Sequence, residues 1–250
     1  GKEVMKMAAA TMKNITLETG GKSPLLVFPD ADLELATTWA HWGIMSNQGQ
    51  ICTATSRILV HESIYDAFLE RFKAKVREVS VLGDPFDENT FQGPQVTRAQ
   101  YERVLSYIES GKQEGATIAL GGEPAPQKGK GFFVAPTVFT NVKPHMKIFR
   151  EEIFGPCVAI VAFQTEEEAI QMANDTTYGL GAAVFTKDLV RAHRVAKEIE
   201  AGMVWINSSN DSDFRVPFGG VKQSGIGREL GEAGLAPYCN IKAVHINMAA

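Results

Sequence analysis

The chain has 250 residues, of which 44% are hydrophobic and 22% charged, and its formal net charge is -4. That length and balance suit one large α/β domain or two small ones with an ample core, and give no sign of a nucleic-acid or anionic-membrane partner. No apolar run reaches membrane-spanning length, and residues 1–12 lack the long apolar centre of a signal peptide. Three cysteines at positions 52, 157 and 239 have no paired spacing, which points to free thiols in a reducing, cytoplasmic setting.

Residues 1–12 read as a helix already under way, with no Ser, Asp or Asn cap, so the chain reads as part of a longer protein. A short strand ends at Glu18, Gly20-Gly21 makes a turn, and 25–28 is an apolar strand. Asp32 can cap a helix that runs to about Ser46. After a polar connection at 47–56, Arg57–His61 is a strand, and Ile64, Phe68, Leu69, Phe72 and Val76 recur at helical spacing. Thr97 can cap a helix carrying Tyr101, Val104, Leu105 and Ile108. A strand at 116–120 and a loop of Gly, Pro and Lys at 121–131 come next. The extended stretch 133–141 contains Pro136, which favours a sheet edge. Cys157–Phe163 is a continuous apolar run, as a parallel strand covered on both faces would be. Helices at 166–173 and 188–199 alternate with strands at Gly181–Phe185 and 203–207. This rhythm predicts a parallel-sheet α/β architecture with right-handed crossovers. Residues 238–246 stand outside it as a lone extended strand, open to pairing with another chain.

Cys52 sits in the polar connection, with Gln48, Gly49 and Gln50 before it and Thr53, Thr55 and Ser56 after it. A thiol on such a loop can meet a carbonyl carbon, provided its site favours the thiolate; a small buried residue is the plainer reading of any free cysteine. Glu18, just ahead of Gly20-Gly21, could activate water beside a thiol-derived ester if burial raises its pKa, although a Glu at a strand end is ordinarily exposed. In R-E-E-I-F-G-P (150–156), two carboxylates and an aromatic on a Gly-Pro turn could bind a ribose diol and a flat ring, or could be a solvated loop with one core Phe. The glycines of 217–229 lack G-x-G-x-x-G spacing and follow no apolar strand, so a flexible loop lining a substrate passage suits them better than phosphate binding. Residues 208–213 lack the last acidic ligand of a calcium loop, and the five histidines show no metal-ligand spacing.

Taken together, L-E-T-G-G-K-S-P, G-Q-I-C-T-A-T-S-R, E-E-I-F-G-P, N-D-T-T-Y-G-L-G-A-A-V-F-T-K-D and P-F-G-G-V-K-Q-S-G-I-G-R-E-L-G-E, in that order across 17–232, resemble the aldehyde dehydrogenase superfamily. The chain is similar to the family's C-terminal half. The resemblance implies a three-layer catalytic domain at 21–232, the tail of a cofactor-binding domain at 1–20 and an oligomerisation segment at 233–250. It implies NAD or NADP as cofactor, a small aldehyde as substrate, and a homo-oligomer in the full-length form. By it, Cys52 is the nucleophile, forming a thiohemiacetal whose oxyanion its own backbone N–H helps to hold. Hydride leaves to the nicotinamide, and Glu18 activates the water that hydrolyses the resulting thioester. Glu229 is a second carboxylate that relays protons. Gly20, Glu152 and Phe154 belong to the cofactor side, Glu152 holding the nicotinamide ribose and Phe154 lying beside the ring. Thr19 stands where the family often has Leu. The polar 208–213 loop replaces aromatics common in relatives, which favours a small or polar aldehyde. Two other readings compete: an inert scaffold, since half of the cofactor site has no counterpart here, and a cysteine-dependent esterase that needs no cofactor.

Overall fold

The computed structural model describes residues 1–125 and 131–249, so part of the predicted 121–131 loop lies outside the described residues. The helices are α1 (Lys2–Ala9), α2 (Leu33–Met45), α3 (Tyr65–Val79), α4 (Arg98–Gln113), α5 (Lys147–Arg150), α6 (Glu166–Asn174), α7 (Leu189–Glu198) and α8 (Gly231–Leu235). The strands are β1 (Leu17–Glu18), β2 (Pro24–Val27), β3 (Arg57–His61), β4 (Thr117–Leu120), β5 (Thr137–Thr140), β6 (Cys157–Phe163), β7 (Gly181–Phe185), β8 (Met203–Ile206) and β9 (Gly225–Ile226). Seven of them form one sheet in the order β4-β5-β6-β3-β2-β7-β8, while β1 and β9 pair separately. Every neighbouring pair of the large sheet is parallel except β4 with β5.

Strand side chains alternate between two cores, as the period of two demands. Leu25, Val27, Ile58, Val60, Val158 and Ile160 pack with Ala40 and Ile44 of α2 and with Phe68 and Phe72 of α3. Leu26, Phe28, Leu59, Ala159 and Phe163 pack on the opposite face with Val104 and Ile108 of α4, Ala169 of α6 and Val195 of α7. The result is the three-layer, mostly parallel α/β architecture that the strand–helix rhythm predicts. Side-chain caps also fall where the sequence puts them: Asp32 accepts from the Glu34 and Leu35 amides, Thr97 from Gln100, and Asp188 from Val190 and Arg191.

Two features depart from the sequence reading or go beyond it. The strand after Pro136 is not at an edge, because β5 lies between β4 and β6. The proline stops one residue short of the ladder, so its missing N–H breaks no strand bond, and Thr137 takes up the pairing by donating to the Pro156 carbonyl at 2.8 Å. Arg57 is wholly buried, and its guanidinium donates to the carbonyls of Lys22, Met172 and Ala173 at 2.8–2.9 Å while lying over the Phe149 ring. That fork ties the turn before β2 to the end of α6. Near the C-terminus, residues 239–249 are exposed and pair with no strand among the described residues. Among the described residues, no helix is long and apolar enough to cross a membrane.

Candidate active site

The loop between α2 and β3 has a backbone that few sequences would accept. Asn47, Gln48 and Gly49 all have positive φ, at 49°, 57° and 68°. A side chain in that region is strained, and Asn and Gly bear it best. The Asn47 carbonyl accepts from the Gln50 N–H at 3.1 Å, and its amide donates to the Gln50 carbonyl at 3.0 Å, which closes the turn. At Gly49 a Cβ would strike the Gly155 carbonyl, so the glycine lets this loop rest on the 150–156 segment. The chain then passes Cys52 and returns to the sheet, with Thr55 N–H bonded to the Gly43 carbonyl at 3.0 Å. Residues 53–60 are all buried, and Cys52 itself is half-buried.

Gly20-Gly21 faces this loop. A Cβ on Gly21 would strike the Cys52 carbonyl, and one on Gly20 would strike the Glu152 carboxylate. Glu152 Oε1 accepts from the Gly21 N–H at 3.0 Å. The loop bearing Glu152 is clamped from α4: Arg103 donates to the Glu152 carbonyl at 3.1 Å, and Gln100 to the carbonyls of Ile153 and Phe154 at 3.1 and 2.7 Å. Phe154, with φ of 60°, is half-buried.

Glu18 lies on the separate β1–β9 pair, where it is opposite Gly225. Glu229 lies in a tight exchange with Phe218, N–H to carbonyl in both directions at 2.7 Å. Both carboxylates are exposed. The electrostatics tie these groups together. Partial burial raises the Cys52 thiol, the N–H of Thr53 opposes that rise, and the charges of Glu18 and Glu152 add to it. Burial and then the neighbouring Glu229 raise the Glu18 carboxyl. Burial raises Glu152, against the Gly21 N–H and the charges of Lys22 and Arg103. The fold therefore brings Cys52 within reach of the charges of Glu18 and Glu152, and Glu18 within reach of Glu229, with Gly20 and Phe154 on the Glu152 side. Cys157, by contrast, is fully buried in β6 and its thiol is pushed up to about 12, chiefly by burial.

Residues that the sequence reading missed surround this site. Lys22 is entirely buried, its Nζ has no hydrogen-bond partner, and burial followed by Arg57 lowers it to about 7. Ser224 is fully buried, donates to the Gly20 carbonyl at 2.7 Å and accepts from the Gly179 N–H at 2.9 Å. No local pattern marks either residue, because both matter through segments distant in sequence. The 217–229 stretch, expected to be a loop lining a substrate passage, contains the Lys222–Ser224 turn and β9, which pairs with β1.

A half-buried thiol that feels the charges of Glu18 and Glu152, beside a mostly parallel α/β sheet, makes this region the candidate active site. The chain belongs to the aldehyde dehydrogenase family, whose profile matches residues 1–244. It is 58% identical over 244 residues to an aldehyde dehydrogenase-like protein of Schizosaccharomyces pombe, covering 98% of this chain and 49% of that protein. It is 52% identical over 244 residues to an NAD(P)+ aldehyde dehydrogenase of Saccharomyces cerevisiae, covering 96% of this chain and 48% of the relative. Among solved structures it is similar to the NAD+ complex of aldehyde dehydrogenase from Bacillus cereus, with TM-score 0.96, 48% identity, and coverage of 99% of this chain and 50% of that one. The chain spans about half the length of the relatives it matches.

Proposed function

We propose that this chain is the catalytic half of an NAD(P)-dependent aldehyde dehydrogenase, which oxidises a small or polar aldehyde to a carboxylic acid. The observation that carries the reading is the convergence of the Cys52 thiol with the Glu18 and Glu152 carboxylates across the Gly20-Gly21 turn. The residues present suit a nicotinamide nucleotide. Gly20 has no Cβ, which lets the Glu152 carboxylate lie against its backbone, and Glu152 engages the Gly21 N–H through Oε1, so that Oε2 is the oxygen that would meet a ribose diol. Gly20, Glu152 and Phe154 would hold the nicotinamide end. When bound, that group supplies the hydride acceptor.

The chain's own residues supply the rest. Cys52 sulfur adds to the aldehyde carbon, and the N–H of Cys52 meets the oxygen on which charge develops. Once the acyl group is a thioester on Cys52, Glu18 takes a proton from the attacking water, and Glu229 passes it outward. The raised Glu18 carboxyl suits a base that must take a proton from water. We assign residues 1–20 to the tail of a cofactor-binding domain, 21–232 to the catalytic domain and 233–250 to an oligomerisation segment of the full-length protein. Because the chain spans about half of its relatives, aldehyde-dependent reduction of NAD+ by this chain alone is expected to be weak or absent; robust turnover would overturn that expectation.

The chemistry of the thiol needs no cofactor. Incubation with 4-nitrophenyl acetate should leave a single acetyl adduct on Cys52, visible by intact-mass spectrometry and abolished in Cys52→Ala. Acetylation that persists in Cys52→Ala, or falls on Cys239 alone, would remove the basis of the proposal.

A further inference from the structure

We propose that Ser224 is a positioning residue for the hydrolytic step: its buried hydroxyl locks the β1–β9 pair, and through it the Glu18 carboxylate, against the Cys52 loop. This rests on the reading of Cys52 as nucleophile and Glu18 as base.

The geometry is explicit. Ser224 has no exposed surface, and its hydroxyl uses one donor and one acceptor, both on backbone. It donates to the Gly20 carbonyl at 2.7 Å and accepts from the Gly179 N–H at 2.9 Å, which joins the site turn to the residues leading into β7. The Ser224 carbonyl accepts from the Thr19 N–H at 3.0 Å, and the Thr19 hydroxyl donates to the neighbouring Gln223 carbonyl. The next residue, Gly225, is the register partner of Glu18. Ser224 therefore holds residues 19 and 20 directly and residue 18 through its neighbour. Two glycines make the close fit possible, since a Cβ on Gly220 would meet Ser224 and one on Gly225 would meet the Leu17 carbonyl.

Glu18 has little else to fix it. Its strand has two residues, pairs only with β9 among the described residues, and leaves the carboxylate exposed. Cys52, in contrast, is set by its own loop and by β3. Loss of the Ser224 hydroxyl should thus loosen the base without moving the nucleophile. The Gly20 carbonyl and Gly179 N–H would lose their shared partner, and β1 would be free to shift. A displacement of a catalytic group by about 1 Å can cost on the order of a hundredfold in rate.

The two chemical steps separate with 4-nitrophenyl acetate. In the burst, Cys52 sulfur takes the acetyl group and 4-nitrophenolate leaves. In the steady state, water oxygen bonds to the acetyl carbon, the C–S bond breaks with its pair returning to sulfur, the water proton goes to Glu18 and outward through Glu229, and the thiolate takes up a proton from solvent. The products are acetic acid and free thiol. Ser224→Ala is expected to leave the burst near wild type and to slow deacylation about tenfold. In a Glu18→Gln background, itself slow, Ser224→Ala should add little, because both changes remove the same action. Equal loss of burst and steady state in Ser224→Ala, or a full tenfold effect persisting beside Glu18→Gln, would overturn the inference. If Ser224→Ala does not fold, Thr19→Val removes only the hydroxyl bond to Gln223 and should slow deacylation alone, by a smaller factor; unchanged deacylation there would refute it. Should Glu18→Gln leave deacylation untouched, the assignment of Glu18 as base fails and takes this inference with it. Slow Glu18→Gln with normal Ser224→Ala sinks the inference alone.

Discussion

Cys52 and Glu18 act on one another electrostatically, yet they are anchored in opposite ways. The cysteine leads into β3, at the centre of a seven-stranded sheet whose inner strands are buried on both faces. The glutamate sits at the rim, on a strand of two residues whose partner is another of equal length. Most of the folding free energy lies with the first region. The second borrows its order from hydrogen bonds such as those of Ser224 and from glycines that let backbone touch backbone. A chain built this way seats the Cys52 loop on its core and holds Glu18 through a few rim contacts.

The contrast can be broken most heavily from inside. Phe68 and Phe72 stack at 5.9 Å in the core under β2 and β3, and both are fully buried. Phe68→Ala should cost about 3–5 kcal/mol by chemical denaturation, and Cys52 should lose selective acetylation as the fold loosens. Next in size is Gly49→Ala. A Cβ there has a left-handed backbone and meets the Gly155 carbonyl, so a loss of about 1–2 kcal/mol or more is expected, together with slower acylation of Cys52.

Lys22 sharpens the comparison, since it is a rim-like group placed within the core. Its ammonium is buried without a partner, and its folded value is lowered to about 7. A lowered amine makes the unfolded state the better proton binder between about pH 7 and the ordinary lysine value near 10.4, so this group makes stability rise with pH across that window. Lys22→Met should remove that slope and, near pH 7, stabilise the chain by about 1 kcal/mol, which difference denaturation curves at pH 7 and pH 9 would read. A destabilised Lys22→Met at neutral pH would mean that the amine has a partner the fold depends on. The smallest effect is electrostatic. Glu18 disfavours the Cys52 thiolate, so Glu18→Gln should move the midpoint of Cys52 alkylation by iodoacetamide to lower pH, with stability unchanged. A midpoint that stays or rises would show that the carboxylate does not face the sulfur.

Much of this was readable before any fold was seen. Alternating apolar runs and helical spacing located β2, β3, β6 and β7, the caps Asp32, Thr97 and Asp188 set helix starts, and the ordered motifs pointed to one family. Each of these signals is local, carried by residues within a few positions of one another. What escaped was non-local. Pro136 suggests an edge until the register shows the ladder starting one residue later. The glycine-rich 217–229 stretch does not show in sequence that its Ser224 bonds to Gly20 and Gly179, and nothing around Lys22 in sequence announces a buried amine that feels Arg57 and Glu152. The sequence alone determined which elements form and which side chains have reactive chemistry, because propensity and periodicity act over short range. Only the tertiary structure decided which of those side chains feel one another, because burial and charge coupling depend on distances that the chain order does not contain.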